Sequence, residues 1–195
     1  ELIARRVRPG ATVLDIGANI GYFSLLLARC VGPAGHVYAF EPEPRNYKLL
    51  VRNAGENGYG NVTCVQAAAA AENGSTTLYL ANDNAVDHRV SPGEDERESL
   101  KVRALRVDDY LSNVAQLDFI KIDVQGAESV RKLAHEALLI FITCEGEDEL
   151  ERRLRERKTE TDDSLSLRIA TARKELQRIE AFDYVIVNQD FHLDD

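Results

Sequence analysis

The chain is short of cysteine and short of positive charge, it has no long apolar run, and each shortage narrows what it can be. Its cysteines number only three, Cys30, Cys64 and Cys144, an odd count, far apart and without metal-ligand spacing. Neither a disulfide framework nor a zinc site is indicated, and a reducing compartment is expected. Lysine and arginine total 24 against 33 acids, a net charge of -9. A surface built to neutralise many phosphates carries the opposite balance, so nucleic acid is not expected as a partner. No stretch approaches the roughly 20 apolar residues that cross a bilayer. The opening residues are charged and contain Arg5 and Arg6, unlike a secretory leader. A soluble, cytoplasmic protein without a membrane partner is the expectation. Position 1 is Glu1 rather than methionine, directly ahead of the first strand pattern, so an upstream piece is expected. Neither an internal repeat nor a low-complexity tract interrupts the chain.

What is present is enough for a core: 195 residues, 44% hydrophobic and 29% charged. Thr12 to Asp15 reads as a strand, Ile16 to Gly21 as a glycine-rich turn, and Tyr22 to Cys30 as a helix. After Gly32-Pro33-Ala34-Gly35, a second strand, His36 to Phe40, ends at Glu41-Pro42, and Asn46 to Asn57 reads as the next helix. Alternation of this kind predicts a parallel sheet with crossover helices. Further strands are expected at 62–67, 76–80 and 100–105, a short helix at 107–111, and a central strand at 119–123. The polar stretch 82–99 is expected as a surface loop. A buried strand at 138–143, a charged helical region at 147–180 broken near 158–163 and capped there by Thr161 or Asp162, and a last strand at 182–187 complete the reading.

The chemistry concentrates in Asp15-Ile16-Gly17-Ala18-Asn19-Ile20-Gly21. Glycine there permits backbone angles that a Cβ opposes and lets a ligand approach the main chain. A glycine-spaced turn alone is weak, since many α/β proteins contain one as a simple tight turn. The pattern D-x-G-x-N-x-G differs from the dinucleotide fingerprint, however. An acid leads it, which would repel a pyrophosphate but suit an amino-acid ammonium, directly or through water. Glu41, 24 residues after Gly17, closes the next strand, where a carboxylate can accept both hydroxyls of a ribose; its bland reading is a solvated strand-end acid. Together these favour S-adenosylmethionine over a nicotinamide dinucleotide. His88, in a polar loop, is a distant candidate base, and a solvent-exposed side chain is its commoner fate. Lys121 alternates with its strand neighbours and is expected on the other face of the sheet, as a salt-bridge partner. His36, His135 and His192 have no ligand-spaced companions, so no metal is expected.

Val13 to Ser24, Tyr38 to Pro44, Asn46-Tyr47, Asn53, Leu105 to Leu111 and Asp118 to Glu128 resemble the FkbM family of methyltransferases. The resemblance implies an α/β, Rossmann-like class I methyltransferase fold: a mostly parallel, twisted sheet with helices on both faces. It further implies S-adenosyl-L-methionine as cofactor and methyl transfer to a hydroxyl of a sugar or natural product, a small-molecule acceptor. Carried over by position, Asp15, Gly17, Ala18, Asn19 and Gly21 would line the methionine part, Glu41 and Pro42 the ribose, and Ala67-Ala68 the adenine edge. Asp123 would lie beside the sulfonium and the acceptor, as a base or as an orienting acid. Methyl transfer from a sulfonium is an in-line displacement that needs an oriented nucleophile more than strong proton transfer.

From Ile122 onward the chain instead resembles the C-terminal half of guanylate kinases, notably through Glu149 to Arg157, Thr159-Glu160-Thr161, Arg168 to Arg173 and Phe182 to Asn188. That resemblance implies phosphate-clamping roles for Arg157 and Arg168 and a position near adenine for Asn188. Surface pairing with neighbouring glutamates accounts for the arginines equally well. A phosphoryl-transfer enzyme needs G-x-x-x-x-G-K-[ST], which the sequence lacks, so kinase activity is not expected. The expected organisation is a methyltransferase core over 1–128 and a guanylate-kinase-like segment over 129–195 that supplies the last strands of the sheet. A nucleotide-binding or purely structural hybrid that catalyses nothing is the alternative.

Overall fold

The computed structural model describes residues 7–80, 98–133, 138–144, 146–156 and 162–187. His88, His135, Arg157, Asn188, His192 and nearly all of the predicted 82–99 loop lie outside them. The chain divides between Ile122 and Asp123 into two compact units.

In the first unit, β1 (Thr12–Ile16), β2 (His36–Phe40), β3 (Val62–Val65) and β7 (Phe119–Lys121) form a parallel sheet in the order β3-β2-β1-β7. Among the described residues β7 ends that order beside β1, where the sequence predicted a central strand. Val13 and Leu14 point to opposite faces, yet both are buried, as befits a strand covered on two sides. Val13 packs with Leu27, Ala28, Val31 and Val37, and Leu14 with Phe40, Val65, Leu105 and Leu111.

Helix α1 (Tyr22–Val31) buries Ser24, Leu27, Ala28 and Val31, one face at the i, i+3, i+4, i+7 spacing. Gly32 ends it with φ 65°, and the Asn61 side-chain amide donates to its last carbonyls, Ala28 O at 3.1 Å and Gly32 O at 2.9 Å. Helix α2 (Pro44–Glu56) starts with Glu43 accepting from Asn46 N and with proline in its first turn, where the missing N–H costs nothing.

A second, three-stranded sheet was not foreseen. β4 (Ala68–Ala70) pairs parallel with β6 (Ser99–Arg106), and β5 (Gly74–Tyr79) pairs antiparallel with β6's other edge. A three-residue alanine strand shows no alternation for a pattern to detect. Helix α3 (Val107–Tyr110) follows β6 directly.

The second unit contains α4 (Val124–Leu133), β8 (Ile140–Thr143), α5 (Glu147–Glu156), α6 (Asp162–Leu176), a 3-10 turn at Ile179–Ala181 and β9 (Tyr184–Val187). β8 and β9 pair parallel, Ile140 abreast of Tyr184. Asp183 ties them, accepting the Leu139 N–H at 2.8 Å and pairing with the Arg131 guanidinium. Those two partners, the Leu139 N–H foremost, hold its carboxyl below the usual carboxylate range. The arginines of α5 pair along their own helix, Arg152 with Glu149 and Arg155 with Glu151, both at 2.7 Å. Among the described residues no helix is long and apolar enough to cross a membrane, and no three His, Cys, Asp or Glu residues cluster as metal ligands.

Candidate functional site

Parallel pairing sets the site. With Ile16 abreast of Phe40 and Asp15 abreast of both Ala39 and Lys121, the carboxyl ends of β2, β1 and β7 lie side by side. The glycine turn leaves from the middle one. Open parallel sheets bind ligands at such strand ends.

The turn is held from every side. The N–H groups of Gly17 and Ala18 donate to Phe40 O at 3.0 and 2.9 Å, and that of Gly21 to Ala18 O at 2.9 Å. Asn19 N–H donates to Glu41 Oε2 at 2.7 Å, and Ile20 N–H to Asn19 Oδ1 at 2.7 Å. The Asn53 side-chain amide, from the last turn of α2, donates to Ile20 O at 2.7 Å. Gly17 has φ 71° and Asn19 φ 54°, left-handed values that glycine and asparagine tolerate best. A Cβ placed on Gly17 would meet no protein atom within 4 Å, whereas one on Gly21 would lie 2.7 Å from Leu50 Cδ1. Gly21 is thus required by packing, while Gly17 borders open space from which a ligand can reach the main chain.

Glu41 is only 4% exposed. Its Oε2 takes the Asn19 N–H and its Oε1 the Glu43 N–H at 2.9 Å, so both oxygens are oriented, each with acceptor capacity to spare. Burial pushes its carboxyl above the ordinary 4.5, aided by the Glu43 charge, while the two backbone N–H groups and the Lys121 charge pull it back. Pro42, half-buried, follows it. Ala18 and Ala68 are buried, Ala68 packing with Leu78 and Val102.

Asp15 was expected to meet an ammonium, directly or through water. Its side chain is 0% exposed; Oδ2 accepts from Ser24 Oγ at 2.7 Å, and Oδ1 lies 3.0 Å from Lys121 Nζ. That approach falls outside hydrogen-bond angles, so charge alone holds the pair. Lys121 donates instead to Gly17 O at 2.9 Å and Ile16 O at 3.3 Å, and lies 5.7 Å from the Phe23 ring centroid. The expected salt bridge is present, with Asp15 as its partner, and Lys121 also reaches the glycine turn. Strand register could have revealed this, because Lys121 faces Asp15 across one ladder step. Asp123 opens the second unit and accepts the Gly126 N–H through Oδ1, an N-cap for α4.

A parallel sheet whose first strand runs into an acid-led glycine turn, with a buried carboxylate at the neighbouring strand end, defines a Rossmann-like class I nucleoside-binding domain. The family model described as the methyltransferase FkbM domain matches residues 15–153, and the chain belongs to that family. The match continues past the predicted junction at 122–128 to cover β8 and most of α5. The domain is an S-adenosyl-L-methionine-dependent methyltransferase domain, and the open Gly17 backbone and oriented Glu41 fit that cofactor.

Part of the chain is also similar to guanylate kinases. It is 41% identical over 90 residues to guanylate kinase 2, chloroplastic/mitochondrial, of Oryza sativa subsp. japonica (46% of this chain, 31% of that protein). It is 49% identical over 72 residues to the guanylate kinase of Chromobacterium violaceum (37% and 34%). The chain thus spans about a third of the length of these curated relatives. Among solved structures, a SAM-dependent methyltransferase from Aquifex aeolicus matches at 28% identity and TM-score 0.31, covering 31% of this chain and 32% of that one. A SAM-dependent O-methyltransferase from Thermotoga maritima matches at 34% identity and TM-score 0.31, covering 32% and 24%.

Proposed function

We propose that the protein transfers a methyl group from S-adenosyl-L-methionine to a hydroxyl oxygen of a small molecule, a sugar or a natural product. The observation that carries the reading is the glycine turn anchored by its Asn19 N–H to the buried Glu41 at the adjoining strand end. Bound S-adenosyl-L-methionine supplies a methyl group activated by a sulfonium. Glu41 accepts the ribose hydroxyls, beside Pro42; Gly17, Ala18, Asn19 and Gly21 shape the turn along the methionine part; Ala68 borders the adenine. Asp123 orients the acceptor hydroxyl or takes its proton, a role its place directly after β7 supports. Such positioning supplies most of what an in-line displacement needs.

Calorimetric titration with S-adenosyl-L-methionine and S-adenosylhomocysteine tests the binding half, and a screen of hydroxylated acceptors with a labelled methyl donor tests the transfer. Binding of neither nucleoside would overturn the reading. The guanylate-kinase likeness of part of the chain favours one alternative, a nucleotide-binding or purely structural hybrid without catalysis. Binding of neither S-adenosyl nucleoside, with no response to GMP or ATP, would support it.

A further inference from the structure

The turn that receives the cofactor has no backbone N–H to spare. From Gly17 to Gly21 each one donates within the protein, to Phe40 O twice, to Glu41 Oε2, to Asn19 Oδ1 and to Ala18 O. This is not a phosphate cradle, in which such groups are left pointing at the ligand. The amino-acid end of the cofactor carries a carboxylate as well as an ammonium, and that carboxylate needs a donor. Among the described residues, the Lys121 ammonium lies against the turn with a full positive charge.

Three acceptors beside the turn already face a cation. Ile16 O and Gly17 O receive Lys121, and Asp15 Oδ1, buried and with no other partner, is compensated by the same cation at 3.0 Å. A second ammonium at this point would meet a like charge. A carboxylate would meet a cation of which two N–H groups are spent on carbonyls, while its contact with Asp15 lies outside hydrogen-bond geometry. The Lys121 side chain is 30% exposed, so it is reachable.

We propose that Lys121 binds the carboxylate of the cofactor's methionine moiety, and that Asp15 is a positioning residue that holds Lys121 over the turn instead of touching the ammonium. The inference rests on the methyltransferase reading and deepens it. It assigns opposite polarity to the strand end from that implied by an acid-led motif alone.

The test is calorimetric titration of S-adenosylhomocysteine, its decarboxylated analogue and its deaminated analogue into the full chain. The variants are Lys121→Arg, Lys121→Met and the double variant Asp15→Asn with Lys121→Met. Lys121→Met alone strands a buried carboxylate and can cost the fold; the double variant removes both charges and keeps the comparison valid. In the unaltered protein, loss of the carboxylate should weaken binding roughly tenfold or more, the worth of a charge-assisted hydrogen bond. In the double variant that penalty should shrink to about twofold or less, because the partner is gone. Loss of the amine should cost the same in both proteins, and Lys121→Arg should keep most of the carboxylate penalty. An equal carboxylate penalty with and without Lys121 overturns the assignment. Failure of unaltered protein to bind S-adenosylhomocysteine at all would instead overturn the methyltransferase reading.

Discussion

Glu41 Oε2 accepts the backbone N–H of Asn19 at 2.7 Å, joining the end of one strand to the turn that leaves its neighbour. One carboxylate therefore does two jobs, fixing the turn and offering acceptors to a ribose. Glu41→Ala strands two N–H donors and removes the ribose acceptors. S-adenosylhomocysteine affinity should fall roughly 10- to 100-fold, the range expected when hydrogen bonds to a charged group are lost. Titration calorimetry measures it, and an unchanged Kd would exclude Glu41 from the site.

The same residue gives the site a pH dependence of known sign. Its folded-state carboxyl lies above the ordinary 4.5, chiefly through burial. Its contribution to stability is full below 4.5 and is lost as pH rises through the raised value, because the fold favours the neutral form. Ribose hydroxyls favour the anion, so cofactor affinity should run the other way, rising with pH through the same window. Calorimetry from about pH 4.5 to 7 should show that rise, and Glu41→Gln should abolish it. A Kd flat across the range would show that Glu41 does not titrate in the free site.

Much of this arrangement was legible in the sequence because it is local. Thr12 to Gly21 combines a β-branched strand start with a glycine turn, and His36 to Glu41 ends in an acid, so the two strands and their tips follow from pattern and spacing. What stayed hidden depends on pairing between distant segments. Lys121 lies 106 residues from Asp15 in sequence and meets it only because β7 runs alongside β1 in one register. The burial of Asp15 is equally invisible, since a strand-end acid reads as solvated until Ser24 and Lys121 close over it. β4 pairs with β6 across 36 residues, and its run of alanines carries no alternation.

Asn19 should tolerate glycine and resist a β-branched residue. Its φ of 54° lies in the left-handed region, and its side chain accepts the following N–H. Both variants lose that bond, but Asn19→Val adds strain, about 1–2 kcal/mol from the backbone alone, whereas Asn19→Gly relieves it. Chemical denaturation would reveal the difference; equal stability for the two variants would mean that the turn relaxes to another conformation.

Two glycines of one turn should fail for different reasons, and the difference locates the ligand. Both have positive φ, 71° at Gly17 and 96° at Gly21, so alanine at either pays a backbone cost of about 1–2 kcal/mol. At Gly21 the added methyl also strikes Leu50 Cδ1 at 2.7 Å, and Leu50 is wholly buried, so the neighbour has little room to yield. Gly21→Ala should therefore unfold at clearly lower denaturant than Gly17→Ala. Shortening the obstacle with Leu50→Val should recover part of that loss and leave the backbone cost behind. At Gly17 the methyl enters open space, so the free domain should lose little beyond the backbone cost. Its affinity for S-adenosylhomocysteine should nonetheless drop by about tenfold or more, because the methyl occupies the surface a ligand would approach. A Gly17→Ala protein that binds the nucleoside as tightly as the unaltered chain would place the methionine moiety away from this turn.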